Sequence, residues 1–436
     1  MKLTITLKSV INHIVLAALL GINAGASSFP QLQVLHSFVG GADGSAPVAS
    51  LVLDAQGNLY GTTMNGGSNK TCIYGAQIGC GVVFELTAPS RPGRSWKETI
   101  LYRFKGGADG AEPRAGLIFD QAGNLYGTTG EGGNLNVSQC SDGHTNVGCG
   151  VVFELSPQQG GGWEESVIYT FGGITDGATP LGNLIFDSLG NLFGTTNVGG
   201  GGSGCSSGSL IGCGTVFELT PIGSGGWNEQ TLYQFQGNFT DAGLPFAGVV
   251  MDPSGNLYGS GVTGGDALNG AVFELIAPTE KDGTWTQQIL YSFTSPGQPR
   301  AGVVFDITGN LYGATGQGDG TVFELMPSLD GWAEIQLYAF GQKTTAPWSS
   351  LLIDGAGNLY GAALGSACGA IYRLVDKGGS WSEAEYDFLD KNDEPCAPFA
   401  SPIFGKWGAL YGTSLEGGTC KSSSACGSVF GILNRS

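Results

Sequence analysis

The chain has 436 residues, 78 of them Gly and 18 Pro, with 36 acidic residues against 18 basic ones and a formal net charge of −18. Gly plus Pro stay below the roughly 25–30% of low-complexity chains and no G-X-Y period is present, which excludes disordered and collagen-like classes. The acidity excludes a nucleic-acid partner, because phosphate neutralisation needs clustered Lys and Arg, while 41% hydrophobic residues and 22 Phe can supply a large core.

Residues 1–26 have the three parts of a secretory signal. Lys2 and Lys8 are its only charges, Ile14 to Ile22 is a short apolar stretch, and Ala24-Gly25-Ala26 offers a small-residue cleavage site. The apolar run is too short for the ~20 residues that span a bilayer. Cleavage would leave residues 27–436 as one domain and move the net charge to −20, since two Lys and no acid are lost. No later stretch approaches transmembrane length, so an exported monomer, extracellular or periplasmic, is expected.

Beyond the signal the string G-N-L-Y-G, or a close variant, recurs at 57–61, 123–127, 190–194, 255–259, 309–313 and 357–361, with a degenerate seventh copy at 408–412. A second string, G-x-V-F-E-L, follows at Gly81, Gly150, Gly214, Gly270 and Gly320, and more loosely at Gly369 and Gly427. In the second unit, four β-like runs stand between turn residues: Gly116–Phe119, Asn124–Thr129, Val151–Leu155 and Trp163–Phe171. Helical periodicity is absent. Four short antiparallel strands repeated seven times predict an all-β, seven-bladed β-propeller. The last unit stops at Leu433 without a fourth strand, and Val34–Phe38 matches that missing strand. The N-terminal strand therefore completes the last blade and closes the ring, which removes exposed edges.

Repetition also sorts the tempting side chains. The acid after the first strand (Asp54, Asp120, Asp187, Asp252, Asp306, Asp354) recurs six times, as a turn-former would. Glu85, Glu154, Glu218, Glu274 and Glu324 share one position in five blades, whereas a catalytic carboxylate is needed once or as a pair. His36 stands where other blades have Tyr and reads as a packing residue, and the Trp before the fourth strand reads as core or blade-edge filler. The glycines of the repeats read as turn and strand-end residues.

The units differ in the loop between second and third strands, which is long in blades 1, 2, 3 and 7 and short in blades 4, 5 and 6. Cys72/Cys80, Cys140/Cys149, Cys205/Cys213 and Cys420/Cys426 each fall in one long loop, which predicts four local disulfides in an oxidising compartment. Cys368 and Cys396 remain as a fifth pair, on loops that emerge at the same face. There is no C-x-x-C, and His36 and His144 are the only histidines after the signal, so zinc is not expected. In a closed ring blades 7, 1, 2 and 3 are neighbours; their loops should form a wall beside a lower rim over the central channel, a concave site.

The loops joining consecutive blades reach the same face and carry Asp43, Asp109, Asp176 and Asp241. Four such carboxylates can ligate Ca²⁺ or bond sugar hydroxyls, or serve as turn residues. For an enzyme, non-repeated groups are the candidates: Glu112, Glu131, Asp142 and His144.

The paired strings G-N-L-Y-G-T-T and G-x-V-F-E-L, with D-G-A-x-P between blades, resemble the GloVer repeat of the "choice-of-anchor tandem repeat" bacterial proteins over residues 31–433. The resemblance implies an exported repeat protein with a variable C-terminal surface anchor; no sorting motif or tail helix follows the seventh unit, and no family catalytic residue can be transferred. Two functions remain in view. One is a secreted binding module presenting its loop-rich face to a glycan, peptide or surface partner. The other is a carbohydrate-active hydrolase or lyase using two carboxylates on that face.

Overall fold

The computed structural model describes residues 31–433 except 69–71, 75–76, 92–93, 139, 141–146, 203, 208–209, 224, 281–282, 296, 330, 342–343, 366–367, 389–394 and 418–425. The chain is a seven-bladed β-propeller of four-stranded antiparallel blades. Blade 1 runs Val52–Leu53, Leu59–Thr63, Val82–Thr87 and Lys97–Arg103 from first to fourth strand. Blade 7 takes Ile403–Phe404, Leu410–Ser414 and Ser428–Leu433 from the end of the chain and its fourth strand, Gln31–Ser37, from the beginning. Gln31 pairs with Leu433 and Ser37 with Ser428. No α-helix occurs among the described residues, and none of the described helical turns is long and apolar enough to cross a membrane.

The repeated strings explain this packing. Asp54 accepts the Gly57 and Asn58 amides and the Asn58 side-chain amide, closing the turn between first and second strands, and Gly57 takes a φ of 97° there. The second glycine of each G-N-L-Y-G has a different role from the turn expected of it. Gly61 lies inside the second strand, and a Cβ there would stand 2.7 Å from the Phe84 ring. The aromatic residue of each third strand (Phe in six blades, Tyr372 in blade 6) thus lies against a glycine and also meets an aromatic ring of the preceding blade. Phe38–Phe84, Phe104–Phe153, Phe171–Phe217, Phe235–Phe273, Phe293–Phe323, Phe340–Tyr372 and Phe388–Phe430 sit with ring centroids 4.9–5.2 Å apart. Aromatic pairs of this geometry contribute about 0.5–1.5 kcal/mol beyond their buried area. The blade 7–blade 1 pair matches the other six, so the closing junction is packed as tightly as the rest.

The Trp preceding the fourth strand covers the Tyr of the blade before it, as in Trp163 on Tyr60 and Trp227 on Tyr126. The strand-interior acids behave as structural groups: Glu274 and Glu324 accept the hydroxyls of Tyr258 and Tyr312 from the adjacent strand.

Each blade-to-blade loop passes through one residue with a left-handed backbone: Ala46, Glu112, Thr179, Leu244, Gln298, Ala346 and Ala397, with φ between 53° and 59°. A proline follows each of them. Non-glycine residues avoid this region at a cost of about 1–3 kcal/mol, and here two backbone hydrogen bonds hold it. The Glu112 amide donates to the Cys80 carbonyl of blade 1, and the Glu112 carbonyl accepts the Gly130 amide of blade 2. The proline that follows lies against the glycine before the previous blade's third strand, where a Cβ on Gly81 would stand 2.5 Å from Pro113 Cδ.

Candidate functional site

Loops from two sources share one face. The blade-to-blade loop pairs with the second-to-third-strand loop of the next blade through Ser45–Asn65, Ala111–Glu131, Ala178–Val198 and Cys396–Glu416. Disulfides Cys72–Cys80, Cys140–Cys149 and Cys205–Cys213 staple the long loops of blades 1, 2 and 3, and Cys368–Cys396 joins blade 6 to the loop entering blade 7. Cys426 is also disulfide-bonded; Cys420, its expected partner, lies outside the described residues.

The residue after the repeated proline stands ahead of the first strand of each blade. Around the ring it is Val48, Arg114, Leu181, Phe246, Arg300, Trp348 and Phe399. The neighbours in blades 4 to 7 form one continuous cluster. The Arg300 guanidinium lies over the Phe246 ring at 5.0 Å and over the Trp348 ring at 4.5 Å, and Trp348 meets Phe399 edge-on at 5.3 Å. All four are half-buried. Gly316, in the short loop of blade 5, leaves the space beside the Trp348 indole that a Cβ would narrow to 3.2 Å. In blade 2 the same position holds Arg114, and there it takes a different partner.

That partner is Glu112, a candidate acid. Its carboxylate is buried and receives both Nε and Nη2 of Arg114, at 2.9 and 2.6 Å. Glu131 joins the loop face through its backbone pairing with Ala111. Asp142 and His144 lie outside the described residues.

Asp43, Asp109, Asp176 and Asp241 sit at the outer ends of four different junctions, each tied to its own turn. Asp109 accepts the Lys105 amide and the Tyr102 hydroxyl; Asp176 accepts the Gly172 amide and the Tyr169 hydroxyl. Asp43 and Asp241 accept the Val39 and Gln236 amides. The Tyr102 and Tyr169 hydroxyls also lie 3.3 Å from Glu165 and Glu229 across the junction, sharing their proton with the next blade. Burial, then the Asp109 carboxylate, pushes Glu165 up to about 7, and burial likewise raises Glu229 and Asp241.

On the opposite face, a cavity of about 540 Å³ opens between blades 7 and 1, lined by Leu53, Trp96 and Tyr411 and rimmed by Arg91, Arg94 and Lys406. The Lys406 ammonium is bound to the Gln56 carbonyl, so it fastens the two blades together.

With this geometry in place, the family of the chain can be stated. The Gloeobacter/Verrucomicrobia repeat matches residues 23–206 and 139–364, and the chain belongs to that family. No curated protein is significantly similar in sequence. Among solved structures, a candidate 6-phosphogluconolactonase from Bacteroides uniformis ATCC 8492 is 15% identical, with a TM-score of 0.47 over 77% of this chain and 83% of that one. The PQQ-bound aldose sugar dehydrogenase of Streptomyces coelicolor is 10% identical, with a TM-score of 0.44 over 92% of this chain and 97% of that one. Likeness at this level says nothing of activity.

Proposed function

We propose that the protein is an exported binding module whose channel mouth, formed by Phe246, Arg300, Trp348 and Phe399, takes a glycan. The observation that carries this reading is that one repeat position is filled by five residue types around the ring and gathers its three aromatic residues, with Arg300 between them, in the neighbouring blades 4 to 7. Aromatic faces stack on the apolar faces of sugar rings, and a guanidinium donates to hydroxyl and carboxylate oxygens. The short loops of blades 4 to 6 leave that side low, and the stapled loops of blades 1 to 3 stand opposite as a wall. Export is supported by the disulfides, which persist in oxidising compartments, and by the signal-like residues 1–26.

The pairing of Arg114 with the Glu112 carboxylate favours this reading over a hydrolase that would use Glu112 as its acid. A glycan and peptide array tests the reading with wild type and an Arg300→Ala/Trp348→Ala variant. Binding of glycans by wild type alone is expected. Equal binding by both, or peptide binding without glycan binding, overturns it.

A further inference from the structure

The closing junction differs from the other six at one position. Tyr102, Tyr169, Tyr233, Tyr291, Tyr338 and Tyr386 occupy the fourth strands of blades 1 to 6, and blade 7 has His36 instead. At the junctions after blades 1 and 2 the tyrosine hydroxyl hydrogen-bonds the loop Asp and the Glu of the next blade. At the closing junction the imidazole meets the same two carboxylates and bonds neither. His36 Nε2 stands 3.6 Å from Asp43 Oδ2 and 3.5 Å from Glu98 Oε1, beyond hydrogen-bond length. Both His36 Nε2 and Glu98 Oε1 are buried atoms without a hydrogen-bond partner, and the three side chains are only 14–20% exposed.

We propose that His36, Asp43 and Glu98 form a binding site for one first-row divalent cation, zinc being the best fit, that clasps the ring shut. A tetrahedral metal at about 2.1 Å from its ligands holds them about 3.4 Å apart, close to the spacing found here. The ligating atoms of all three residues lie within 4.8 Å of one another. One imidazole and two carboxylates suit zinc and its neighbours, and disfavour calcium, which chooses oxygen ligands alone. Two carboxylates neutralise the ion, and water completes its shell. Asp43 Oδ2 keeps the Val39 amide at 2.8 Å, which fixes the carboxylate towards the site. Arg103, the nearby cation, places its Nε on the Ala42 carbonyl.

The ligands come from the N-terminal strand, the loop after it and the outer strand of blade 1, so the ion joins the two ends of the ring. This site is independent of the channel mouth. Motif reading passes over it because the donors come together only after closure, with 54 residues between Asp43 and Glu98.

The test uses untagged, chelator-stripped protein titrated with Zn²⁺ and Co²⁺. Wild type should take one equivalent, show the visible d–d bands of Co²⁺ in a protein site, and melt about 2–5 °C higher with saturating metal. His36→Tyr installs the residue of the other six junctions, and Glu98→Gln the residue that blade 4 has at this position, Gln287; both should fold and lose that equivalent. No uptake by wild type, or one equivalent retained in both variants, overturns the site.

Discussion

Within each blade-to-blade loop, the left-handed residue and the proline recur seven times, and the very next residue is drawn from five types: Val, Arg, Leu, Phe and Trp. The first set joins neighbouring blades by a proline–glycine contact at all seven junctions and by two backbone hydrogen bonds at six of them. The second ranges from Val48 to Trp348 without disturbing that framework. A scaffold that fixes the backbone this firmly lets one side chain vary freely beside it, which is how rigid folds carry binding residues. On the proposed reading, the difference separates residues that hold the ring together from residues that would contact a ligand.

Four measurements can break or sharpen that separation. The largest effect belongs to the framework: Phe217→Ala removes a fully buried ring packed on Phe171 and Gly194. It should cost about 3–5 kcal/mol in denaturant unfolding. A loss under 1 kcal/mol would mean that the ring-on-glycine contact is not what holds blades together.

The staples come next. In the chain-entropy model, replacing Cys368 and Cys396 by Ser should cost about 3.5 kcal/mol, against about 2.5 kcal/mol for Cys205 and Cys213. Their sequence separations are 28 and 8. Equal losses would show that the bridges act through native contacts rather than through loop length.

A smaller effect is pH-dependent. Glu165 has its pKa raised to about 7 by burial and Asp109, so the folded state holds a proton that the unfolded chain releases near 4.5. Its contribution to stability is full below pH 4.5 and is lost as pH rises through 7. Thermal melts of Glu165→Gln across that window should show a shallower decline than wild type. An unchanged slope would remove Glu165 as its source.

The smallest change in stability is expected at the mouth. Arg300→Ala loses two half-exposed cation–π contacts, with Phe246 and Trp348, each worth about 0.5–1 kcal/mol, and its melt should fall only slightly below that of wild type. A cost of several kcal/mol would make Arg300 part of the framework.

Much of this architecture is legible in the sequence. The recurring D-x-x-G-N-L-Y and G-x-V-F-E-L strings, the orphan strand at Val34–Phe38 and the cysteine spacings lead to the ring, its closure and the pairs Cys72–Cys80, Cys140–Cys149, Cys205–Cys213 and Cys368–Cys396. Gly61 was harder, because a glycine beside a turn and a glycine beneath an aromatic ring look alike until Phe84 is placed over it. The mouth residues carry a signal of the opposite kind. Aligning the seven prolines shows one position that fails to repeat, and attention to the repeating part hides it. His36 reads as filler by its place in the strand, and its edge-on contact with Phe38 at 4.7 Å agrees. Its carboxylate neighbours follow only from closing the ring.

The most direct test of the mouth as the recognition surface is calorimetric titration of the strongest array glycan into two exchanged proteins. One carries Phe246→Val, Arg300→Leu, Trp348→Val and Phe399→Leu, which brings the aliphatic residues of blades 1 and 3 to the aromatic side. The other keeps the mouth and replaces the stapled loop of blade 3 with the short loop of blade 5. The account predicts that the first loses at least tenfold in affinity while still unfolding cooperatively, and that the second stays within a few-fold of wild type. Full affinity in the first, with binding lost in the second, would contradict it.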